Sequence, residues 1–241
     1  MTSSSEDTRA RTHLFLMLAL TFSTGVIDAV GYLGLDRVFT GNMTGNVVLL
    51  GMGVVDGGAG EDGAGLPVLR PALALFGYLV GAAIAGRALR KAGPGWTTHT
   101  TVLLGIVAGA LLALSGVLLV TGSEPRDPVG ALITTGMAVV MGIQAAAARR
   151  LAVKDVTTVV VTSTLTGLAA DSRLAGGDGR FWARRVSAVV LILLGALVGA
   201  ALLLWHIAAA LLVSVLITAV VAVLGHRTRN PIAEPVARSA A

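Results

Sequence analysis

Residues 39–46 read FTGNMTGN, a polar and glycine-rich stretch that lies between two of the most apolar parts of the chain. Of the 241 residues, 55% are hydrophobic and 13% are charged, and the mean hydropathy is +0.84. A chain with so few charges cannot cover a water-soluble globule with polar side chains. The composition therefore predicts an integral membrane protein, in which FTGNMTGN needs a special environment because hydrocarbon penalises exposed polar groups.

Six stretches are long and apolar enough to cross a bilayer, since a spanning helix needs about 20 mostly apolar residues for a core of roughly 30 Å. The first is expected to remain as a span, because no small-residue cleavage site of a signal peptide interrupts it. We predict an all-α protein with tails at 1–12 and 226–241 and a single membrane domain at 13–225. The six stretches lie near residues 14–34, 69–88, 98–121, 129–148, 185–204 and 207–224.

The distribution of charge predicts that both termini are cytoplasmic. With six crossings from a cytoplasmic start, only Arg37, Arg70 and Arg126 of the 18 Lys and Arg fall outside, as the positive-inside rule requires. No basic helix face carries interleaved aromatic residues, so nucleic acid is not an expected partner. The tryptophans sit at span ends and are predicted to be head-group anchors: Trp96, Trp182 and Trp205.

An internal repeat is indicated by two pairs of similar segments. GYLVGAA at 77–83 resembles GALVGAA at 195–201, and TGNMTG at 40–45 resembles TSTLTG at 162–167. Both halves then have the same order of a span, a short polar-headed segment and two more spans. An odd number of spans per unit predicts a 3+3 inverted repeat, the plan of many transporters. The two units cover residues of about 13–121 and 128–225.

Two short segments, residues 38–52 and 155–170, are predicted to enter the membrane and return on the same side. Each is too short to cross at about 1.5 Å per residue. Thr40 or Asn42 is expected to cap a short helix in the first. Two such half-helices would point their positive N-terminal ends toward the midplane, where an anion or a carboxylate would be stabilised.

The alternative is that these small and hydroxyl-bearing residues serve helix packing, as they commonly do in membranes. For the glycine pairs with GxxxG spacing, packing is the preferred interpretation: Gly77 with Gly81, Gly105 with Gly109, and Gly195 with Gly199.

Asp28 is the acidic residue that the first span places within the membrane. An aspartate at the centre of a spanning helix costs roughly 2.5 to 3.5 kcal/mol to insert, so it needs a reason to be there. One interpretation gives it a role in proton or cation coupling or in solute contact. The other gives it a structural bond to Arg37, Tyr32 or a backbone amide. In the repeat alignment Asp28 falls opposite Gln144, which suggests that two polar residues meet near the pseudo-twofold axis.

No motif in the sequence indicates catalysis or a bound metal. The chain has no cysteine and four histidines, and the histidines lie at span ends without metal-site spacing. We expect no enzyme activity, no catalytic residue, no metal and no cofactor. The candidate solute- or ion-binding residues are Asp28, Tyr32, Thr40, Asn42, Thr44, Asn46, Gln144, Thr162, Thr164 and Thr166.

Three stretches resemble the YoaK-like family of bacterial inner-membrane proteins: GVIDAVGYLGLDRVFTGNMTGNVVLLG from residue 25, GIQAAAARR from 142 and VTTVVVTSTLTGL from 156. The resemblance covers about residues 13–225 and implies six spans in a bacterial inner membrane. One departure is Ser163, where relatives often have glycine. The family is a domain of unknown function, so the resemblance implies no substrate.

The function expected from the sequence is a secondary transporter of a small solute or ion, with Asp28 as the coupling or contact acid. A passive channel and a non-transporting membrane scaffold or sensor are the alternatives. The expected partners are the lipid bilayer and the solute or ion, and a homo-oligomer is compatible with the sequence. The identity of the solute, the direction of transport and the coupling ion are not encoded in any recognisable motif.

Overall fold

The computed structural model describes residues 2–35, 37–56, 66–93, 95–122, 127–151 and 161–229, and within them every long element is an α-helix. A 3₁₀ turn at Arg173–Ala175 links two of the helices. The helices are α1 Thr2–Gly34, α2 Met43–Val55, α3 Leu69–Ala88, α4 Thr98–Thr121, α5 Asp127–Leu151, α6 Val161–Ala170, α7 Trp182–Leu203 and α8 Ile207–Arg227.

Six of these helices are long and apolar enough to cross a membrane, which confirms the predicted spans and the all-α class. Their spanning parts are Asp7–Gly34, Leu69–Ala88, Thr98–Thr121, Pro128–Leu151, Trp182–Leu203 and Ile207–Arg227. The largest difference in boundaries is at the N-terminus, because α1 begins at Thr2 and residues 2–12 are helical where an irregular tail was expected. The Glu, Arg and Ala residues of this segment favour helix, and Thr12 bonds back to the carbonyl of Thr8 (3.0 Å).

The two remaining helices are too short to span, as the sequence predicts. Helix α2 has 13 residues and α6 has 10, which correspond to about 20 Å and 15 Å of axial rise. Asn42 is the N-cap of α2, and its side chain accepts a hydrogen bond from the amide of Gly45 (3.2 Å). The cap satisfies one of the amides that a helix start leaves unpaired.

Helices α1 and α7 pack closely along glycines and run parallel. A Cβ at Gly195 would overlap the carbonyl oxygen of Phe22, and one at Gly199 would lie 2.8 Å from the carbonyl oxygen of Val26. The contacts advance along both helices together, so the two helices point the same way. Gly25 completes the interface from the α1 side, since its Cβ position overlaps the backbone of α7. Backbones approach this closely only where side chains are absent.

Helices α3 and α5 form a second parallel pair by the same means. A Cβ at Gly77 would lie 2.9 Å from the carbonyl oxygen of Thr135, and one at Gly81 would overlap that of Val139. Gly142 faces α3 from the other side. These contacts confirm the packing interpretation for two of the three glycine pairs.

The other long helices run antiparallel to their neighbours. Ser115 on α4 donates to the carbonyl of Ala208 near the start of α8 (3.2 Å), while His226 near the end of α8 bonds Thr101 near the start of α4 (3.2 Å). Helix α8 also packs against α1, and α4 packs against α5. If each of the helices α1–α4 is exchanged with its counterpart in α5–α8, the same helix pairs are obtained, apart from a further contact between α7 and α8.

The prediction that all three tryptophans are membrane anchors is wrong for Trp96. Its side chain is only 2% exposed, and its ring lies against Gly225, where a Cβ would overlap it. The indole nitrogen donates to the Thr101 hydroxyl (2.9 Å), so this buried ring has the partner it needs. The exposure of Trp182 and Trp205, 54% and 83%, fits the predicted interfacial position.

Candidate functional site

After α1 the chain turns back and runs alongside the helix it has just left. The amide of Val38 donates to the carbonyl of Gly31 (3.4 Å), and a Cβ at Gly31 would overlap the carbonyl oxygen of Val38. Further on, Gly41 lies beside Thr24, whose methyl group would be 3.0 Å from a Cβ at position 41. Thr24 is about 15 Å from the end of α1 at 1.5 Å per residue, so the start of α2 lies well inside the span.

Helix α2 then leads away from this inner position. Near its end, a Cβ at Gly53 would lie 3.0 Å from the Val68 side chain and 3.2 Å from the carbonyl oxygens of Leu66 and Pro67. These residues immediately precede α3, so α2 ends beside the start of α3. The segment from Val38 to Gly53 thus goes in beside α1 and comes out beside α3, as a re-entrant segment does.

Asp28 holds the inner end of this segment. Its Oδ1 accepts hydrogen bonds from three consecutive amides, those of Thr40 (3.1 Å), Gly41 (2.7 Å) and Asn42 (3.3 Å). Successive amides that converge on one oxygen form an anion-binding nest, here reinforced by the positive end of α2. Of the structural partners considered for Asp28, the backbone amides are the ones found. Among the described residues, Asp28 forms no ion pair with Arg37.

The expected anion site at the start of α2 is therefore filled by the protein's own carboxylate. The amides that would have bound a solute anion donate to Asp28, and a second anion beside it would be repelled. The amides before α2 thus hold the Asp28 carboxylate of α1 in a fixed position, with its Oδ1 fully engaged.

Asn46 fixes the shape of the turn that precedes α2. Its side chain is buried; its Oδ1 accepts from the amide of Phe39 (2.9 Å), and its Nδ2 donates to the carbonyl of the same residue. The Phe39 ring stacks on that of Tyr32, with centroids 4.8 Å apart. Asn46 and Tyr32, both candidate binding residues, thus hold the loop in place through Phe39.

Replacing Asn46 with leucine is expected to lower the free energy of unfolding by about 2 kcal/mol or more, since the Phe39 amide and carbonyl would both lose their partner. Thermal unfolding in detergent measures the loss. The control is Thr44→Leu on the exposed side of α2, which should change stability by less than about 0.5 kcal/mol. Equal stability of the two variants would contradict this account of the turn.

Gln144 joins the same region from α5. It is 1% exposed, and its Nε2 donates to the hydroxyl of Thr24 (3.4 Å). Met141, one turn earlier on α5, has its terminal carbon 3.3 Å from a Cβ placed at Gly41. The structure therefore brings Gln144 to the inner end of the re-entrant segment, together with Asp28.

Two side-chain oxygens in this region are buried and, among the described residues, have no hydrogen-bond partner: Oγ1 of Thr40 and Oε1 of Gln144. Such atoms normally find a partner, because an unpaired buried polar group costs about 1–3 kcal/mol. A carboxylate and two unpartnered neutral oxygens therefore belong to residues that adjoin Gly41 or its neighbour Thr24.

The second-half threonines are placed on α6. Thr164 is buried, whereas Thr162 and Thr166 are exposed, and the Thr166 hydroxyl donates to the carbonyl of Thr162 (3.0 Å). Helix α6 packs against α7, where Arg185 bonds the carbonyl of Gly167. Residues 155–160 of the second predicted re-entrant segment lie outside the described residues. The convergence of these threonines with Asp28 stays a prediction.

Thr24 and Met141 are site residues that the sequence analysis missed. Thr24 precedes Asp28 by four positions and so lies on the same face of α1, which is a signal that the sequence does contain. Met141 has no comparable signal, because an apolar side chain among many others does not reveal which one contacts a loop.

The six spanning helices and the re-entrant segment define the chain as an all-helical, multi-pass membrane protein. It belongs to the family described as "Protein of unknown function (DUF1275)", whose model matches residues 16–224. It is 33% identical over 157 residues to the UPF0700 transmembrane protein YoaK of Bacillus subtilis (strain 168), and the match covers 65% of each chain. No solved structure matches it. The YoaK-like resemblance is thereby confirmed.

Proposed function

We propose that the protein is a secondary transporter of a small solute or ion, in which Asp28 is the coupling or contact acid, and that it has no enzymatic role. The observation that carries the proposal is the Asp28 carboxylate inside the span, bound to the first amides of a re-entrant helix. Ionisable groups within membranes are costly and typically mark ion or solute paths. Interrupted helices that meet inside the span are the usual binding elements of transporters.

We further propose that α1–α4 and α5–α8 are inverted repeats. The parallel pairs α1 with α7 and α3 with α5, together with α4 antiparallel to α8, support opposite orientations of the two units. Each unit would then pack its first helix on the second spanning helix of the other. Motion of one unit against the other would expose a central site alternately to either side. The positive-inside bias supports cytoplasmic termini in a bacterial inner membrane.

Asp28 is suited to couple ion binding to movement because its bonds to the amides depend on its charge. An ionised carboxylate accepts hydrogen bonds about twice as strong as those of a neutral group. A proton on Asp28 would weaken its three bonds to residues 40–42 and loosen the start of α2. The same ion would thus influence whether the re-entrant segment stays against α1.

Flux measurements in proteoliposomes test the proposal. With an imposed proton or sodium gradient, the wild-type protein should accumulate at least one member of a panel of amino acids, sugars, nucleobases, organic acids and inorganic ions. Asp28→Asn should lose at least about tenfold of the accumulation, because the neutral amide cannot exchange charge. Asp178→Asn, at an exposed carboxylate, should behave as wild type.

Downhill flux without accumulation would instead support a passive channel. Background flux for the whole panel, combined with recovery of one stoichiometric partner protein from the membrane, would support a scaffold or sensor and contradict transport.

A further inference from the structure

We propose that Asp28 Oδ2, Thr40 Oγ1 and Gln144 Oε1 form a binding site for one hard monovalent cation, for which Na⁺ is the probe. This inference rests on the proposed transport function and names the class of ion that the site would take. The two carboxylate oxygens of Asp28 have different surroundings. Oδ1 accepts three amide hydrogens, whereas Oδ2 accepts no hydrogen bond from any described residue.

The orientation of the Gln144 amide follows from its neighbour. The Thr24 hydroxyl donates its single hydrogen to the carbonyl of Leu20 (2.9 Å), so toward Gln144 it can only accept. The amide must then present its NH₂ group to Thr24, which leaves its oxygen unpartnered. The free oxygen of Gln144 is therefore a consequence of the hydrogen-bond network and not of an arbitrary amide flip.

Thr40 supplies the third oxygen. Its backbone amide donates to Asp28 Oδ1 (3.1 Å), so Thr40 lies directly beside the carboxylate. Its side chain is fully buried, and no described residue bonds its hydroxyl. Thr40 and Gln144 come from different parts of the chain, and both bring an unpartnered oxygen to the neighbourhood of Asp28.

A small monovalent cation accounts for this set better than a proton or a divalent ion does. A proton on Asp28 would satisfy one oxygen and leave those of Thr40 and Gln144 unexplained. Divalent cations such as Ca²⁺ typically take six to eight oxygens with several carboxylates, whereas this site has a single carboxylate. Hard monovalent cations suit carboxylate, amide and hydroxyl oxygens, and one positive charge neutralises Asp28.

The test is thermal unfolding of the purified full-length protein in detergent, with NaCl replacing choline chloride at constant ionic strength. Above the dissociation constant, each tenfold rise in Na⁺ should raise Tm by about 3–5 °C for a chain of this size. Thr40→Val, which keeps the shape but removes the hydroxyl, should lose most of this response while remaining at least as stable without Na⁺. Asp28→Asn and Gln144→Leu should lose it as well.

Thr134→Val and Thr218→Val are matched controls, because both residues are also buried with hydroxyls that no described residue bonds. They should keep the full response to Na⁺. The site is overturned if Na⁺ and choline give the same Tm for the wild-type protein, or if Thr40→Val responds to Na⁺ as the controls do.

Binding is measured without transport, so the two proposals can fail separately. Proton-driven accumulation with no effect of Na⁺ on Tm would overturn the cation site and leave the transport function standing. A response to Na⁺ that Thr40→Val removes, in a protein that moves no member of the solute panel, would support the site and overturn the transport function.

Discussion

Asp28→Leu is expected to lower the free energy of unfolding by about 3 kcal/mol or more. The three amides of residues 40–42 would lose their acceptor, and an unpaired donor costs about 1–3 kcal/mol where it is buried, as at Thr40 and Gly41. In thermal unfolding of the detergent-purified protein this corresponds to a decrease in Tm of at least about 6 °C.

Asp28→Asn separates the structural role from the charge. Asparagine keeps an acceptor oxygen for the amides, so it should lose less than half as much stability as leucine while still losing coupled accumulation. Asp178→Leu, at an exposed loop carboxylate, should shift Tm by no more than about 2 °C. If Asp28→Leu were as stable as wild type, the nest around Oδ1 would not contribute to folding.

Gly81→Ala is expected to destabilise the protein by about 3 kcal/mol, although alanine is the better helix former. A Cβ at this position overlaps the carbonyl of Val139, so α3 and α5 would have to separate, and overpacking of this kind costs about 1–3 kcal/mol or more. Unfolding in detergent and the yield of folded protein after membrane insertion both report the loss.

Gly105→Ala and Gly109→Ala provide controls of the same chemistry in α4. Among the described residues nothing lies within 4 Å of a Cβ at either position, so the substitutions should be neutral or stabilise the helix by up to about 1 kcal/mol. The sign of the effect should therefore reverse between α3 and α4. A destabilising Gly105→Ala would show that this face of α4 packs against another chain.

The positions of the spans were predictable because hydropathy and length decide them. The predicted boundaries 69–88 and 98–121 coincide with α3 and α4, and the cap at Asn42 followed from the preference of helix starts for Asn. A backbone amide was one of the partners proposed for Asp28. The sequence did not reveal that Asp28 bonds backbone amides and not Arg37. This depends on the path of residues 38–42, and so on how closely the chain approaches Gly31.

Long-range packing could not be predicted in the same way. Trp96 is buried because Gly225, far along the chain, leaves room for its ring. The sequence alignment of the repeats pairs Gly77 with Gly195. In the structure, however, Gly81 has the place in the α3–α5 interface that Gly195 has in the α1–α7 interface, and Gly81 lies one turn after Gly77. Identical Ala- and Leu-rich segments do not fix the register, since neighbouring turns of such helices are chemically alike.

The crossed pairing of the helices has a consequence for biogenesis. Helix α1 packs on α7, and α3 packs on α5. Neither α1 nor α3 can therefore complete its interface until α7 or α5 has been synthesised. A nascent chain that ends after α4 would present glycine-lined surfaces to lipid tails. We therefore expect membrane insertion and tertiary assembly to be separate stages for this protein. The helices of the first half are synthesised first but form their main interfaces only after the second half has been made.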